Sequence, residues 1–258
     1  MSLSNIQQVI EELDRIILYC ENKQSRQAYF AALYRAMTES VKNGIEKGVF
    51  NDSNRMEKLD IIFATRYLDA WNCNNQSQPC STSWITAFAS TTNNNLTVIQ
   101  HLVLGINTHI NLDLAIAAAE TAPGLTIFDL QQDFEKINQI IAALTNEVQL
   151  RLEKIWWPMR LLRNIVNSRE KAVINFSIST ARKTSWANAV ALASANELNR
   201  INYITGIDNT VNKVAHRIIS PGYLANTILM PVRWLEYKDV RKVISVLKQP
   251  LPVNLSKP

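Results

Sequence analysis

The residues of this chain that are equipped for chemistry converge on one stretch, Gln100 to Glu120, which reads QHLVLGINTHINLDLAIAAAE. It holds two of the three histidines, His101 and His109, with Asn107, Asn111, Asp113 and a terminal Glu120, and it contains no lysine or arginine. At about 100° per residue, His101, Gly105, His109 and Asp113 drift only about 40° per step down one side of a helix, and Glu120 returns to the same sector. Asn107 and Asn111, also four apart, lie on another side. Leucine, isoleucine and valine fill most of the remainder, the pattern of a core helix surrounded by others. Buried polar groups without partners cost kilocalories each, so the stripe is expected to face a pocket, a polar partner or ordered water. Gly105, between the two histidines, either leaves room for a ligand or lets a neighbouring helix approach closely.

Spacing decides what the stripe can do. His109 and Asp113 are one turn apart, roughly 6 Å along the axis, so both can ligate one ion, or Asp113 can orient His109 as a general base. A third reading is a network that only satisfies buried histidines. His101 lies about 12 Å from His109 by the same rise, too far to join a metal comfortably. A metal site therefore needs ligands from other helices, with Asp69 and Asp133 the leading candidates and His216 and Glu120 behind them. Arg66, if it faces the central helix rather than pairing with Asp69, could anchor an anionic substrate group. Arg182, with Trp186 one turn later on its face, invites the same reading or simple packing.

The elements that must position these residues read as helices. Only six glycines occur in 258 residues, while alanine, leucine, isoleucine, glutamine and asparagine abound, which points to an all-α protein. Ser4 with Gln7 suggests a capping box before a first helix, a second covers Gln24 to Lys47, and Ser53 caps a third. A short helix carries Trp84 and Phe88. Asn93 to Asn95 break the chain before the central buried helix, at about residues 95–121, which the Ala-Pro-Gly at 122–124 stops. Asp129 with Gln132 restarts the next helix, reaching about Lys154, and Pro158 after Trp156 and Trp157 forces a bend. Long helical patterns run from about Glu170 to Tyr203 and from Asn209 to Ile219, and residues 250–258 read as an extended tail. No internal repeat or long linker divides the chain, so residues 1–258 are expected to form a single all-α domain, one multi-helix bundle around the central helix.

Composition bounds the function. The chain is 47% hydrophobic and 19% charged with a net charge of +5, ordinary for a globular protein, and no dense Lys/Arg cluster interleaved with aromatics points to nucleic acid. Cys20, Cys73 and Cys80 are an odd set with no zinc-knuckle spacing, expected to be free thiols in a reducing compartment. The N-terminus lacks the basic-then-apolar pattern of a signal peptide, and the histidines and aspartate argue against a membrane span in the central segment. A cytoplasmic location follows as the expectation. No nucleophile elbow, Walker loop, dinucleotide fingerprint or HExxH motif is present, which disfavours serine hydrolases, P-loop NTPases, Rossmann oxidoreductases and zincin proteases.

The segment HLVLGINTHINLDLAIA resembles the signature HLxxGxNxHIxxDL of a bacterial and fungal family catalogued only as a domain of unknown function. The resemblance extends to FATRYLDAW (63–71), SWITAF (83–88), DFEKIN (133–138) and ARKTSWANA (181–189), with Thr108 where a smaller residue is expected. It implies that Arg66, Tyr67, Asp69, Trp84, His101, Asn107, His109, Asn111, Asp113, Asp133, Arg182 and Trp186 belong to one constellation. A weaker similarity, carried by THINLDL, is to zinc-dependent phospholipase C, although the chain lacks that family's other histidines and its N-terminal tryptophan.

The leading expectation is an enzyme acting on a small or lipid-like molecule in a buried pocket between helices. Its catalytic residues would be His109, Asp113 and His101, and Arg66, Tyr67, Trp84, Asn107, Asn111, Arg182 and Trp186 would bind substrate. Metal-assisted hydrolysis is its most concrete mechanism, with one divalent ion, zinc or manganese, held by His109, Asp113, Asp69 and Asp133. The alternatives left open are a metal-free acid–base isomerase or cyclase using His109, and a non-enzymatic hydrophobic-ligand-binding protein.

Overall fold

In the computed structural model, which describes residues 3–155 and 169–249, every regular element among the described residues is helical. In chain order these are α1 (Ile6–Lys23), α2 (Gln27–Glu46), α3 (Ser53–Asn75), α4 (Thr82–Ser90), α5 (Val98–Thr108), a π-helical turn (His109–Asp113), α6 (Leu114–Thr121), a 3₁₀ turn (Gly124–Thr126), α7 (Ile127–Ile155), α8 (Arg169–Ser194), α9 (Glu197–Ile219), α10 (Tyr223–Leu235) and α11 (Val240–Leu247). The bend expected at Trp156–Arg160 and the tail at 250–258 lie outside the described residues.

Several helices begin where a small polar side chain takes up N–H groups that have no partner in the first turn. Asn5 accepts from the Gln8 N–H and Asp52 from the Arg55 N–H, one residue away from the Ser4 and Ser53 caps that the sequence pattern suggests. Thr97 and Gln100 form a reciprocal capping box that starts α5 at Val98, three residues later than the sequence pattern indicates. The long pattern over 170–203 is broken at Ala195 and Asn196, because the Asn196 side chain accepts from the Asn199 N–H and starts α9 there. The helical periods on both sides are otherwise compatible, which is why the break is hard to see in the sequence.

The central helix is the axis of the bundle. Its first half, α5, packs on α2, α4 and α9, and its second half, α6, on α3, α7 and α8. Leu102, Leu104, Leu112, Ile116 and Ala115 to Ala119 are almost fully buried, each large side chain contributing on the order of 1.5–3 kcal/mol. By length and composition, residues 98–121 are apolar enough to cross a membrane, yet 78% of the most apolar eighteen residues within them are buried inside the protein. The three cysteines are free thiols.

Between the halves, His109–Asp113 forms the π turn, in which the Leu114 N–H reaches back five residues to the His109 carbonyl. Such an inserted residue widens the helix locally and recurs at functional sites. Gly105 explains how α2 comes so near. A Cβ added there would lie 2.4–2.8 Å from the Phe30 ring and Cβ, so the glycine serves helix approach and leaves no room for a ligand. Gly105→Ala is therefore expected to destabilise the fold by about 1–3 kcal/mol through overpacking. Gly206→Ala, in mid-α9 with nothing within 4 Å of the added atom, should instead stabilise by up to about 1 kcal/mol through helix propensity. Paired urea titrations read both signs.

Candidate functional site

Asp113 is the hub of the site. Its side chain is 2% exposed and accepts three hydrogen bonds from three elements. Trp84 Nε1 donates to Oδ2 at 2.9 Å, Arg66 Nε donates to Oδ1 at 3.3 Å, and His109 Nδ1 lies 3.0 Å from Oδ2. The indole and guanidinium can only donate, so Asp113 is an acceptor, and the His109 proton sits on Nδ1. Arg66 thus turns to the central helix, as considered from the sequence, and away from Asp69. Trp84 reaches Asp113 because α4 is clamped from across the bundle. Ser81 makes no capping bond, and Asp208 of α9 instead accepts the backbone N–H groups of Thr82 and Ser83 at 2.7 and 3.0 Å.

His109 stands in an aromatic box. The Phe63 ring lies flat on the imidazole at 3.6 Å between centroids, and the Tyr34 ring meets it edge-on at 4.5 Å. Phe30, Tyr67 and Trp84 close the other sides at 5.6–6.2 Å. Burial pushes the His109 pKa below its ordinary value, and the Asp113 hydrogen bond and charge offset this only partly. The ring is therefore neutral at pH 7, with the lone pair on Nε2, which has no hydrogen-bond partner among the described residues.

His109 lines an apolar cavity of about 120 Å³, walled by Leu33, Met37 and Val41 of α2, Met56, Leu59 and Phe63 of α3, and Ile106, Ile110, Leu114, Ile137 and Ile140. Polar atoms interrupt the walls at few places. The Tyr34 hydroxyl, the Thr38 hydroxyl, Asp60 Oδ2 and His109 Nε2 all belong to lining residues; the two hydroxyls are buried against each other, and Asp60 Oδ2 and His109 Nε2 are buried with no hydrogen-bond partner among the described residues. Native interiors leave few polar atoms unpaired, at about 1–3 kcal/mol each, so their gathering in the residues around one cavity makes it the candidate site. The sequence reading missed Tyr34, Thr38 and Asp60. The available signal was Asp60, a carboxyl on the face that Met56, Leu59 and Phe63 make apolar.

The other residues singled out in the sequence are distributed around this site. Arg182 lines the cavity, donates from Nη2 to the Phe134 carbonyl at 2.7 Å and covers the Phe134 ring at 4.4 Å, and burial lowers its pKa to about 9. Trp186 packs on Phe134 with the rings tilted and their centroids 4.9 Å apart. Tyr67 and Trp84 form the wall behind His109. Asn107 donates to the Val211 carbonyl, and Asn111 to the Asn107 carbonyl, so both tie the π turn to its neighbours. Asp133 is 1% exposed and accepts the N–H groups of Asn51 and Asp52, fixing the start of α3. Asp69 is exposed, in a surface groove with Glu12 and Arg15. Glu120 is exposed and paired with Arg200, and His216 is exposed. Asp69 and Asp133 thus do not meet His109. Among the described residues, no three His, Cys, Asp or Glu side chains are grouped to hold a metal ion.

His101 faces a different, much smaller pocket beyond Gly105 and Phe30, edge-on to Tyr29 at 5.9 Å. Neither of its ring nitrogens has a protein partner, and burial lowers its pKa to about 4. The folded-state value lies below the ordinary 6.5, so below that pH the unfolded chain takes up a proton that the folded chain refuses. Stability is therefore lost as pH falls from about 6.5 toward 4, by up to roughly 1.4 kcal/mol per pH unit. His101→Phe should flatten that acid limb, read as the change in urea midpoint between pH 7 and pH 5.

A family described as a family of unknown function (DUF5995) matches residues 6–221, a span that includes every residue of the cavity and of the Asp113 network. No curated protein and no solved structure matches the chain.

Proposed function

Since the chain belongs to this family, whose description carries no reaction, we propose a function from the cavity itself: general acid–base catalysis, without a metal, on a small and largely apolar molecule. The observation that carries this reading is the Asp113–His109 pair. Asp113 fixes the imidazole tautomer, and His109, a neutral ring whose Nε2 has no hydrogen-bond partner among the described residues, lines an apolar cavity. A neutral imidazole oriented by a buried acceptor is the arrangement a general base needs. Metal-assisted hydrolysis would draw on the same two residues. Here both Asp113 oxygens already accept hydrogen bonds, and one of them engages His109 itself, so the pair is better arranged as base and orienter than as two ligands.

The experiment uses 1,2-benzisoxazole, a compact aromatic whose ring opens when a base removes its one acidic C–H proton. Opening by the wild-type protein above the rate of equimolar free imidazole, and its loss in His109→Gln, supports the reading. A wild-type rate equal to that of free imidazole overturns it. Binding of the probe without turnover would favour the hydrophobic-ligand-binding alternative.

A further inference from the structure

We propose that Asp60 is the acid working opposite His109, and that the cavity takes a neutral, enolisable carbonyl compound. The inference rests on the reading of His109 as the base. Asp60 lies on α3 one turn before Phe63, the residue whose ring lies flat on His109. It is 7% exposed, lines the same cavity, and its Oδ2 has no hydrogen-bond partner among the described residues. A second carboxyl in so apolar a place has no structural task that its contacts reveal. The titratable groups that act on it are Glu57 on its own helix and Tyr34 from α2, while His109 from the π turn and Arg182 from α8, which is bound to the Phe134 carbonyl, line the same cavity. Burial, and then the Glu57 charge, raise the Asp60 pKa to about 7, which keeps it a proton donor at and below neutral pH.

A hydrogen-bond donor and a neutral base sharing one apolar cavity match a fragment H–C–C=O, with the oxygen toward Asp60 and the hydrogen toward His109. Apolar walls disfavour an ionised substrate. A cavity of about 120 Å³ is close in size to the roughly 150 Å³ apolar cavity known to hold benzene, so a six-membered ring with one oxygen is the scale of ligand. In the reaction, the C–H bond next to the carbonyl breaks. Its proton goes to His109 Nε2, its electron pair forms the C=C bond of the enol, and the Asp60 proton passes to the oxygen. Return of the oxygen proton to Asp60, with delivery of the His109 proton to the same or a conjugated carbon, regenerates both residues. The product is exchanged substrate or its double-bond isomer, and no oxidant or co-reactant enters.

The test follows exchange of the α-hydrogens of cyclohexanone in D₂O by proton NMR, beside benzisoxazole opening, on the intact protein. Wild type is expected to exchange faster than equimolar free imidazole. Asp60→Leu should lose about 100-fold of that exchange and a much smaller fraction of benzisoxazole opening, whose oxygen departs as the anion of an acidic phenol and needs no proton donor. Asp60→Asn, which preserves shape, should lack the fall in exchange rate that wild type shows as pH rises through about 7. If Asp60→Leu is folded and exchanges as fast as wild type while benzisoxazole opening persists, the Asp60 assignment fails and the base stands. Equal loss of both reactions in Asp60→Leu and Asp60→Asn makes Asp60 structural and also overturns it. If wild type opens benzisoxazole but does not exchange cyclohexanone, the carbonyl class is wrong. Failure of both reactions in wild type removes the underlying reading as well.

Discussion

His109→Gln is expected to abolish benzisoxazole opening, with a loss of about 10²–10⁴-fold relative to wild type, in a protein whose far-UV circular dichroism is unchanged. Glutamine fills a similar volume, and its amide can still engage the Asp113 carboxyl, but it offers no basic nitrogen to the cavity. The pH profile separates loss of the base from a general disturbance. Because burial lowers the His109 pKa, wild-type activity should persist below the ordinary histidine value and fall only as pH drops through the depressed one. Any residual reaction in His109→Gln should follow solvent hydroxide and rise with pH. A variant that keeps the wild-type rate and acid limb would place the base elsewhere.

Asp113→Leu is expected to produce the largest loss of stability in the site, about 3–5 kcal/mol. The substitution leaves the Trp84 and His109 N–H groups without their acceptor in a place that water does not reach. The Arg66 side chain is 31% exposed and can turn to solvent, so it adds less. Asp113→Asn separates these contributions. Its carbonyl can still accept from Trp84 and His109, and only the Arg66 partnership is lost, so its destabilisation should be the smaller. Urea midpoints for the two variants give the comparison, and equal losses would mean that the charge rather than the shared acceptor holds the site.

The pairing of His109 with Asp113 was legible in the sequence because a one-turn relation is local, and so were the all-α class and most helix positions. What joins the pair to the fold was not legible. Nothing in SWITAF indicates that the Trp84 indole reaches Asp113, because that depends on Asp208 holding α4 from more than 120 positions away. Tyr34, Thr38 and Asp60 read individually as the occasional polar residues of amphipathic helices, and only the meeting of α2 with α3 puts their polar atoms on one cavity. His101 and His109 share a stripe by sequence. In the folded chain Phe30, seated against Gly105, separates them into two pockets. Glu120 fails for another reason: a single wheel drawn from 100 to 120 assumes one helical period throughout, and the π turn interrupts it. The side chain that should rejoin the histidines points outward to Arg200.

That interruption also bears on how the chain tolerates change. A continuous α-helix commits every position to one phase, so a substitution that re-aims one end is felt by the stripe at the other. The extra residue at His109–Asp113 resets the phase, leaving α5 to answer to α2, α4 and α9 and α6 to α3, α7 and α8. Substitutions in one half are therefore expected to leave the packing of the other undisturbed, and only the joint itself, at His109 and Asp113, answers to both.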